Sequence, residues 1–213
     1  MKKILFQGDS ITDSGRLREV LEANLSNALG RGYGHYVAGE LLLKYIEKDL
    51  KFYNRGINGN RVVDLYARWK VDTLNLQPDV ITILIGVNDV WAERDVQNGV
   101  ELDRFEQVYD MLLEWTRKVL PDVKIVLLSP FTLMCGVIDE KFAVAVEKNA
   151  EAVRRLAKKH KTAYINTQAI FDEAVKKAEP RYWASDGVHP TPVGHLLIAK
   201  ELQAELEKLI NMK

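Results

Sequence analysis

A single cysteine, Cys135, stands in the 213-residue chain, which excludes an internal disulfide and any cysteine-based metal cluster. Neither sign of charge predominates. Thirty basic residues balance thirty acidic ones, so no overall field recruits nucleic acid or an anionic membrane. No apolar run approaches the roughly 18 residues that a bilayer span requires. Behind the two N-terminal lysines the only apolar run is Ile4–Phe6, too short for the core of a signal peptide. Internal repeats, low-complexity tracts and linker-like stretches are also missing. These absences lead to the expectation of a soluble, cytoplasmic protein with residues 1–213 forming one domain, and with neither nucleic acid nor membrane among its partners.

What is present is an alternation of short apolar runs and longer amphipathic ones. Ile4–Phe6, Leu50–Asn54, Asp79–Ile85, Lys124–Leu128 and Ala163–Asn166 read as strands, the third being almost continuously β-branched or leucine. Between them helical spacing recurs over 35–48, 61–75, 102–120 and 139–160. A helix follows the last strand to about residue 178, and another runs over about 192–210. A further short helix is expected around 18–25 in the polar stretch after the first strand. Every crossover is long enough for a parallel βαβ unit. The pattern predicts a three-layer α/β/α sandwich around a parallel sheet of about five strands.

Open sheets of this kind place their ligands at the carboxyl ends of the strands, and four polar blocks fall there. They are Gly8-Asp9-Ser10, Asn54-Arg55-Gly56-Ile57-Asn58-Gly59-Asn60, Gly86-Val87-Asn88-Asp89 and, before the final helix, Asp186-Gly187-Val188-His189-Pro190. Together they supply the parts of acyl transfer. A serine hydroxyl attacks only when a base takes its proton and fixed donors meet the developing oxyanion. Ser10 is the candidate nucleophile and His189 the candidate base, imidazole being the side chain that titrates nearest neutrality. Asp186, three residues earlier in a turn-forming context, can reach the imidazole and fix its tautomer. The backbone N–H groups of Ser10 and Gly56 and the side-chain amide of Asn88 are the candidate oxyanion donors. Each block alone is common; a Gly-Asp-Ser triplet arises by chance in on the order of one chain in twenty of this length. Four in order, each at a strand end, are not.

At these blocks the chain resembles the GDSL, or SGNH, hydrolase superfamily, named for a serine, glycine, asparagine and histidine in four separated blocks. The matching residues are Ser10, Gly56, Asn88 and His189, and Asp186 matches the family's acidic member. The resemblance spans nearly the whole chain and implies a flavodoxin-like fold and a serine hydrolase that needs no cofactor. The phrases Ile-Gly-Val-Asn-Asp-Val-Trp and Tyr-Trp-Ala-Ser-Asp-Gly-Val-His-Pro are similar to those of the superfamily's bacterial carbohydrate acetylesterases, the xylan acetylesterases among them. That similarity implies removal of acetyl groups from acetylated sugars or xylo-oligosaccharides, with the aromatics Trp91, Tyr182 and Trp183 lining the pocket. A lysophospholipase or thioesterase with the same machinery is the alternative reading, and a flavodoxin-like binding module without catalysis is a third.

The other histidines, His35, His160 and His195, have no acidic residue three positions before them in a turn and read as structural or solvated. No histidine pair has metal-ligand spacing, so no catalytic metal is expected. Asp9 and Asp89, next to the candidate serine and asparagine, read as loop braces, with Arg61 as a partner for one of them. The stretch 131–138 reads as a loop over the site or an interface. Its Phe131 and Leu133 are taken as exposed apolar groups supporting a homo-oligomer.

Overall fold

The structure is a computed structural model that describes residues 2–211. In chain order it runs β1 (Lys2–Gly8), α1 (Ser10–Asp13), α2 (Ser26–Leu29), α3 (Tyr33–Lys44), β2 (Leu50–Asn54), α4 (Val62–Asp72) and β3 (Val80–Leu84). It continues with α5 (Val87–Val96), α6 (Leu102–Val119), β4 (Lys124–Leu128), α7 (Glu140–His160), β5 (Ala163–Ile165), α8 (Thr167–Ala174), α9 (Pro180–Trp183) and α10 (Pro192–Asn211). Single 3-10 turns at Ile46–Lys48 and Leu74–Leu76 extend α3 and α4. All strand pairs are parallel, in the order β2-β1-β3-β4-β5. This is the flavodoxin-like order, in which the direction of winding switches between β1 and β3 and a crevice opens there.

The pleat divides the core in two. Ile4, Phe6, Val80 and Leu84 face α3, α8 and α10, while Leu5, Ile81, Ile83 and Ile125 face α4, α6 and α7. Both faces of the sheet are therefore covered, as the near-continuous apolar strands require. Register sets the level of the site: Phe6 pairs with Asn54, Gly8 with Leu84, and Leu84 with Leu128, so three strands end side by side. Among the described residues no helix is long and apolar enough to cross a membrane.

Three local readings differ from the periodicity. Residues 18–25 are irregular, although Leu17, Leu21 and Leu25 fall at helical spacing. The segment instead serves the edge of β2: the Asn24 N–H donates to the Phe52 carbonyl (3.1 Å), its side-chain amide donates to the Leu50 carbonyl (2.9 Å), and its Oδ1 accepts the Phe52 N–H (2.7 Å). An exposed strand edge is thereby partly paired. The second difference is α5, a helix that periodicity does not show, because Val-Asn-Asp-Val-Trp-Ala-Glu-Arg-Asp-Val has no apolar stripe and buries only Val87 and Asp89. Third, Phe131 and Leu133 are buried rather than exposed. Phe131 stacks on Phe171 with ring centroids 4.2 Å apart, so neither residue can form an interface.

The face covered by α4 and α6 depends on Trp69. It is fully buried, and its Nε1–H donates to Thr116 Oγ1 at 2.8 Å, joining the two helices. Trp69→Ala leaves a cavity and takes away the donor to Thr116 Oγ1, which keeps its own bond to the Leu112 carbonyl, and is expected to destabilise the fold by about 3–5 kcal/mol in urea unfolding. A loss below about 1 kcal/mol would show that the two helices pack without it.

Candidate active site

Ser10 is the first residue of α1, directly after the end of β1. Asp9 caps that helix, its Oδ1 accepting the Ile11 N–H at 3.0 Å. Across the crevice the turn 184–190 closes on itself through an Ala184–Pro190 bridge and brings His189 to the serine. Ser10 Oγ lies 2.9 Å from His189 Nε2, and His189 Nδ1 lies 2.6 Å from Asp186 Oδ2. The other carboxylate oxygen of Asp186 accepts the backbone N–H groups of Val188 (3.0 Å) and His189 (2.8 Å). Burial works to raise the Asp186 pKa, but these three donors and the imidazole charge outweigh it and hold the carboxyl below its ordinary value. With Nδ1–H donating to the carboxylate, Nε2 is left to accept the serine proton. The imidazole is 46% and the carboxylate 36% exposed, so the row of three lies open to solvent.

The loop after β2 differs from expectation. The Gly56 N–H is not free, because it donates to Asn54 Oδ1 at 2.8 Å, and the Gly56 carbonyl accepts Arg16 Nε at 2.8 Å. Glycine is required at 56 for another reason: a Cβ there would lie 2.4 Å from the backbone nitrogen of Asp13. The neighbouring amides are also engaged, Ile57 with the Gly8 carbonyl, Asn58 with Asp13 Oδ2 and Asn60 with the Ile57 carbonyl. Between Gly56 and Asn60 only the Gly59 N–H has no acceptor among the described residues. Gly59 has φ +80°, and the space a Cβ would occupy is open. Asn88, in the first turn of α5, donates one side-chain N–H to the Asn60 carbonyl (3.1 Å) and keeps the other. The uncommitted donors of the crevice are thus Ser10 N–H, Gly59 N–H and Asn88 Nδ2. The second glycine of the Gly56-Ile57-Asn58-Gly59 run was the available signal for the middle one.

Nothing in the sequence around Arg68 marks it out, yet its guanidinium joins the pieces of the crevice. It donates to the Gly8 carbonyl before Ser10 (3.2 Å), the Arg55 carbonyl before Gly56 (2.8 Å), Asn60 Oδ1 (2.6 Å), Gln7 Oε1 (3.0 Å) and Asp72 Oδ2 (2.8 Å). From the β3 side Asp89 adds a second tie. Its Oδ1 accepts the Val62 N–H at 3.0 Å and its carbonyl accepts the Val100 N–H at 3.0 Å. Arg61 pairs with Asp64 at 2.9 Å, not with Asp9 or Asp89.

Of the aromatic candidates, Trp91 stands beside the base, its ring centroid 6.3 Å from that of His189. Trp183 donates to the Ala178 carbonyl (3.2 Å) and carries Tyr182 edge-on at 4.9 Å. Among the described residues neither makes a hydrogen bond or ring contact with Ser10 or His189. Residues 131–138 pack on the acid's own turn: Leu133 N–H donates to the Gly187 carbonyl (2.8 Å) and Val137 N–H to the Asp186 carbonyl (3.4 Å). His160 pairs with Asp110 at 2.6 Å, and His195 Nδ1 accepts the Tyr33 N–H at 3.2 Å.

A flavodoxin-like sheet carrying this crevice at its winding switch is the framework of a carboxylic ester hydrolase. The chain belongs to the GDSL-like Lipase/Acylhydrolase family, whose model matches residues 6–197. It is 37% identical over 210 residues to an acetylxylan esterase of Geobacillus stearothermophilus, covering 96% of this chain and 94% of the relative. Among solved structures, Axe2, an acetylxylan esterase from the same organism, superposes with a TM-score of 0.87 at 35% identity, covering 100% of this chain and 95% of that one. A candidate GDSL-like lipase from Parabacteroides merdae superposes with a TM-score of 0.91 at 40% identity, over 96% and 94% of the two chains.

Burial pushes the Asp9 and Asp89 carboxyls up to about 7, against the lowering pull of their backbone hydrogen bonds. A carboxyl with a higher pKa folded than unfolded favours folding fully below about 4, and that contribution is lost as pH rises to about 7. Asp89→Asn keeps an acceptor for Val62 and removes the titration. The stability difference between variant and wild type is expected to shift in the variant's favour from pH 4 to pH 7 in urea unfolding. The opposite slope from buried His195, lowered from 6.5 to about 4, is common to both proteins and cancels. A pH-independent difference would count against the buried acid.

Proposed function

We propose that the chain is a serine esterase that removes acetyl groups from acetylated sugars through an acyl-enzyme. The observation that carries this reading is the unbroken row Ser10 Oγ, His189 and Asp186, with contacts of 2.9 and 2.6 Å. His189 Nε2 takes the proton as Ser10 Oγ bonds to the acetyl carbonyl carbon. The oxyanion is met by Ser10 N–H, Gly59 N–H and the free N–H of Asn88, a reading supported by their having no acceptor among the described residues. Asp186 stabilises the imidazolium. As the tetrahedral centre collapses, the sugar oxygen leaves with the proton from His189. Water, deprotonated by the same imidazole, attacks the acetyl-serine; acetate departs and Ser10 recovers its proton.

Two further observations support the sugar substrate. Two of the three matched relatives, both from Geobacillus stearothermophilus, carry the name acetylxylan esterase. The row is also open to solvent, which suits a short acyl group on a bulky polar alcohol. A long acyl chain held there would leave methylenes in water, forgoing about 0.8 kcal/mol for each one that stays unburied.

Ser10→Ala is expected to abolish 4-nitrophenyl acetate hydrolysis with the fold intact by circular dichroism, and a sulfonyl fluoride should add one adduct, by intact mass, to wild type only. Wild type should also prefer acetate over octanoate esters by at least tenfold. Octanoate preferred over acetate would instead make the protein a lipid or thioester hydrolase using the same row.

Asp186→Asn is expected to keep measurable activity above that of Ser10→Ala, because the imidazole retains one hydrogen-bonding neighbour at Nδ1. Asn88→Ala is expected to lower kcat by roughly a hundredfold to a thousandfold. Equal kcat for wild type and Asn88→Ala would remove the amide from the oxyanion site.

A further inference from the structure

A cleft of about 650 Å³ opens between α5, the start of α6 and the first turns of α7. Neither Ser10 nor His189 lines it, and Trp91 links its lining to His189. Arg94 lines the cleft and stacks over the rings of Trp91 (4.7 Å) and Phe142 (4.8 Å). Trp91 in turn stands beside His189. The dividing wall is fixed from several sides. Asp95 accepts from both Trp91 Nε1 (2.5 Å) and Arg94 Nε (3.1 Å), and Arg94 Nη1 donates to the Val137 carbonyl at 3.0 Å. The opposite lip is tied down by Gly99 N–H on Glu93 Oε2 (3.0 Å), and the floor by buried Asn149 donating to the Gly86 carbonyl (2.9 Å).

The lining selects a class of ligand. The four acids Asp89, Glu93, Glu101 and Asp139 face the three bases Arg94, Lys141 and Lys148, a difference of one charge, so the cleft has no strong field to draw in an anion or a cation. It offers donors and acceptors side by side, with the Gln97 amide supplying one of each. Val90 and Leu102 add apolar surface against which C–H groups can pack. A neutral, polyhydroxylated ring meets all three conditions. The volume is in the range of about 300–1,000 Å³ that takes small-molecule ligands.

We propose that this cleft is a second saccharide subsite, which holds a sugar residue further along an acetylated oligosaccharide whose ester sits at Ser10. The sugar chain runs past Trp91 and the Arg94 guanidinium that covers its ring at 4.7 Å, the two side chains between the positions. The inference rests on the acetylated-sugar reading above and adds to it the place where a neighbouring sugar residue is held.

The test uses acetylated xylose, xylobiose and xylotriose, with 4-nitrophenyl acetate as the short ester. Two variants change the cleft without touching the row of three: Ala145→Trp fills it, and Glu101→Ala with Lys148→Ala removes two side chains that have no protein partner. In wild type kcat/KM is expected to rise with saccharide length. In each variant the ratio of kcat/KM for acetylated xylotriose to that for 4-nitrophenyl acetate should fall about tenfold, a comparison internal to each preparation. A ratio unchanged in either variant, or a wild-type rate independent of length, overturns the subsite. Wild type that hydrolyses 4-nitrophenyl acetate but no acetylated saccharide overturns the sugar reading itself.

Discussion

Five acceptors from separate parts of the chain converge on the guanidinium of Arg68. The carbonyl of Gly8 ends β1, the carbonyl of Arg55 follows β2, Asn60 belongs to the loop that offers Gly59, and Gln7 and Asp72 complete the set. Hydrogen bonds involving a charged group contribute about 1.5–3 kcal/mol each, and the cost of stranding their partners is of the same size. No lysine could replace this, because an ammonium has three donors and no fixed plane. Burial lowers the Arg68 pKa, and the carboxylate of Asp72 offsets much of that cost. Arg68 thereby adds a side-chain tie to the backbone bonds that already join the end of β1 to the loop after β2, Arg55 N–H to the Phe6 carbonyl and Ile57 N–H to the Gly8 carbonyl. Asn88 then ties the same loop to β3 through the Asn60 carbonyl.

The sheet was legible in the sequence because apolar strands buried on both faces leave an unmistakable pattern: Leu50–Asn54 and Lys124–Leu128 coincide with β2 and β4. The row Ser10, His189 and Asp186 was legible because its residue types and the three-residue spacing carry chemistry whatever the fold around them. Helix α5 was not, since a helix that buries two residues writes no stripe. The irregular run 18–25 misled for the converse reason: three leucines at helical spacing are there without a helix. Between Gly56 and Gly59 the sequence offers two glycines and no means of choosing. The choice lies in Asn54, whose side chain takes the Gly56 N–H, a contact made only after the chain has turned. Arg68 was illegible for the same reason, as four of its five acceptors lie eight or more residues away.

The openness of the row and the rigidity of its surroundings belong together. The three side chains of the row face water, while the groups beneath them are dry. Asp9, Asp89, Tyr33 and Tyr109 lie under the crevice, all with pKa values raised by burial. A polar interior of this kind is costly unless its members are paired. Here the pairing is partial: Asp9 and Asp89 each accept one backbone N–H, from Ile11 and Val62, and Tyr33 pairs with the Thr12 hydroxyl, while Asp89 Oδ2 and the Tyr109 hydroxyl have no partner among the described residues.

Asp186 and His189 share one tight turn, whereas Ser10 precedes His189 by 179 residues. During synthesis the Ser10 hydroxyl therefore leaves the ribosome long before the imidazole that it meets in the fold. The row can form only when β1 and the turn 184–190 are both in place, so its geometry reports on contacts between distant parts of the sequence and on no local segment alone.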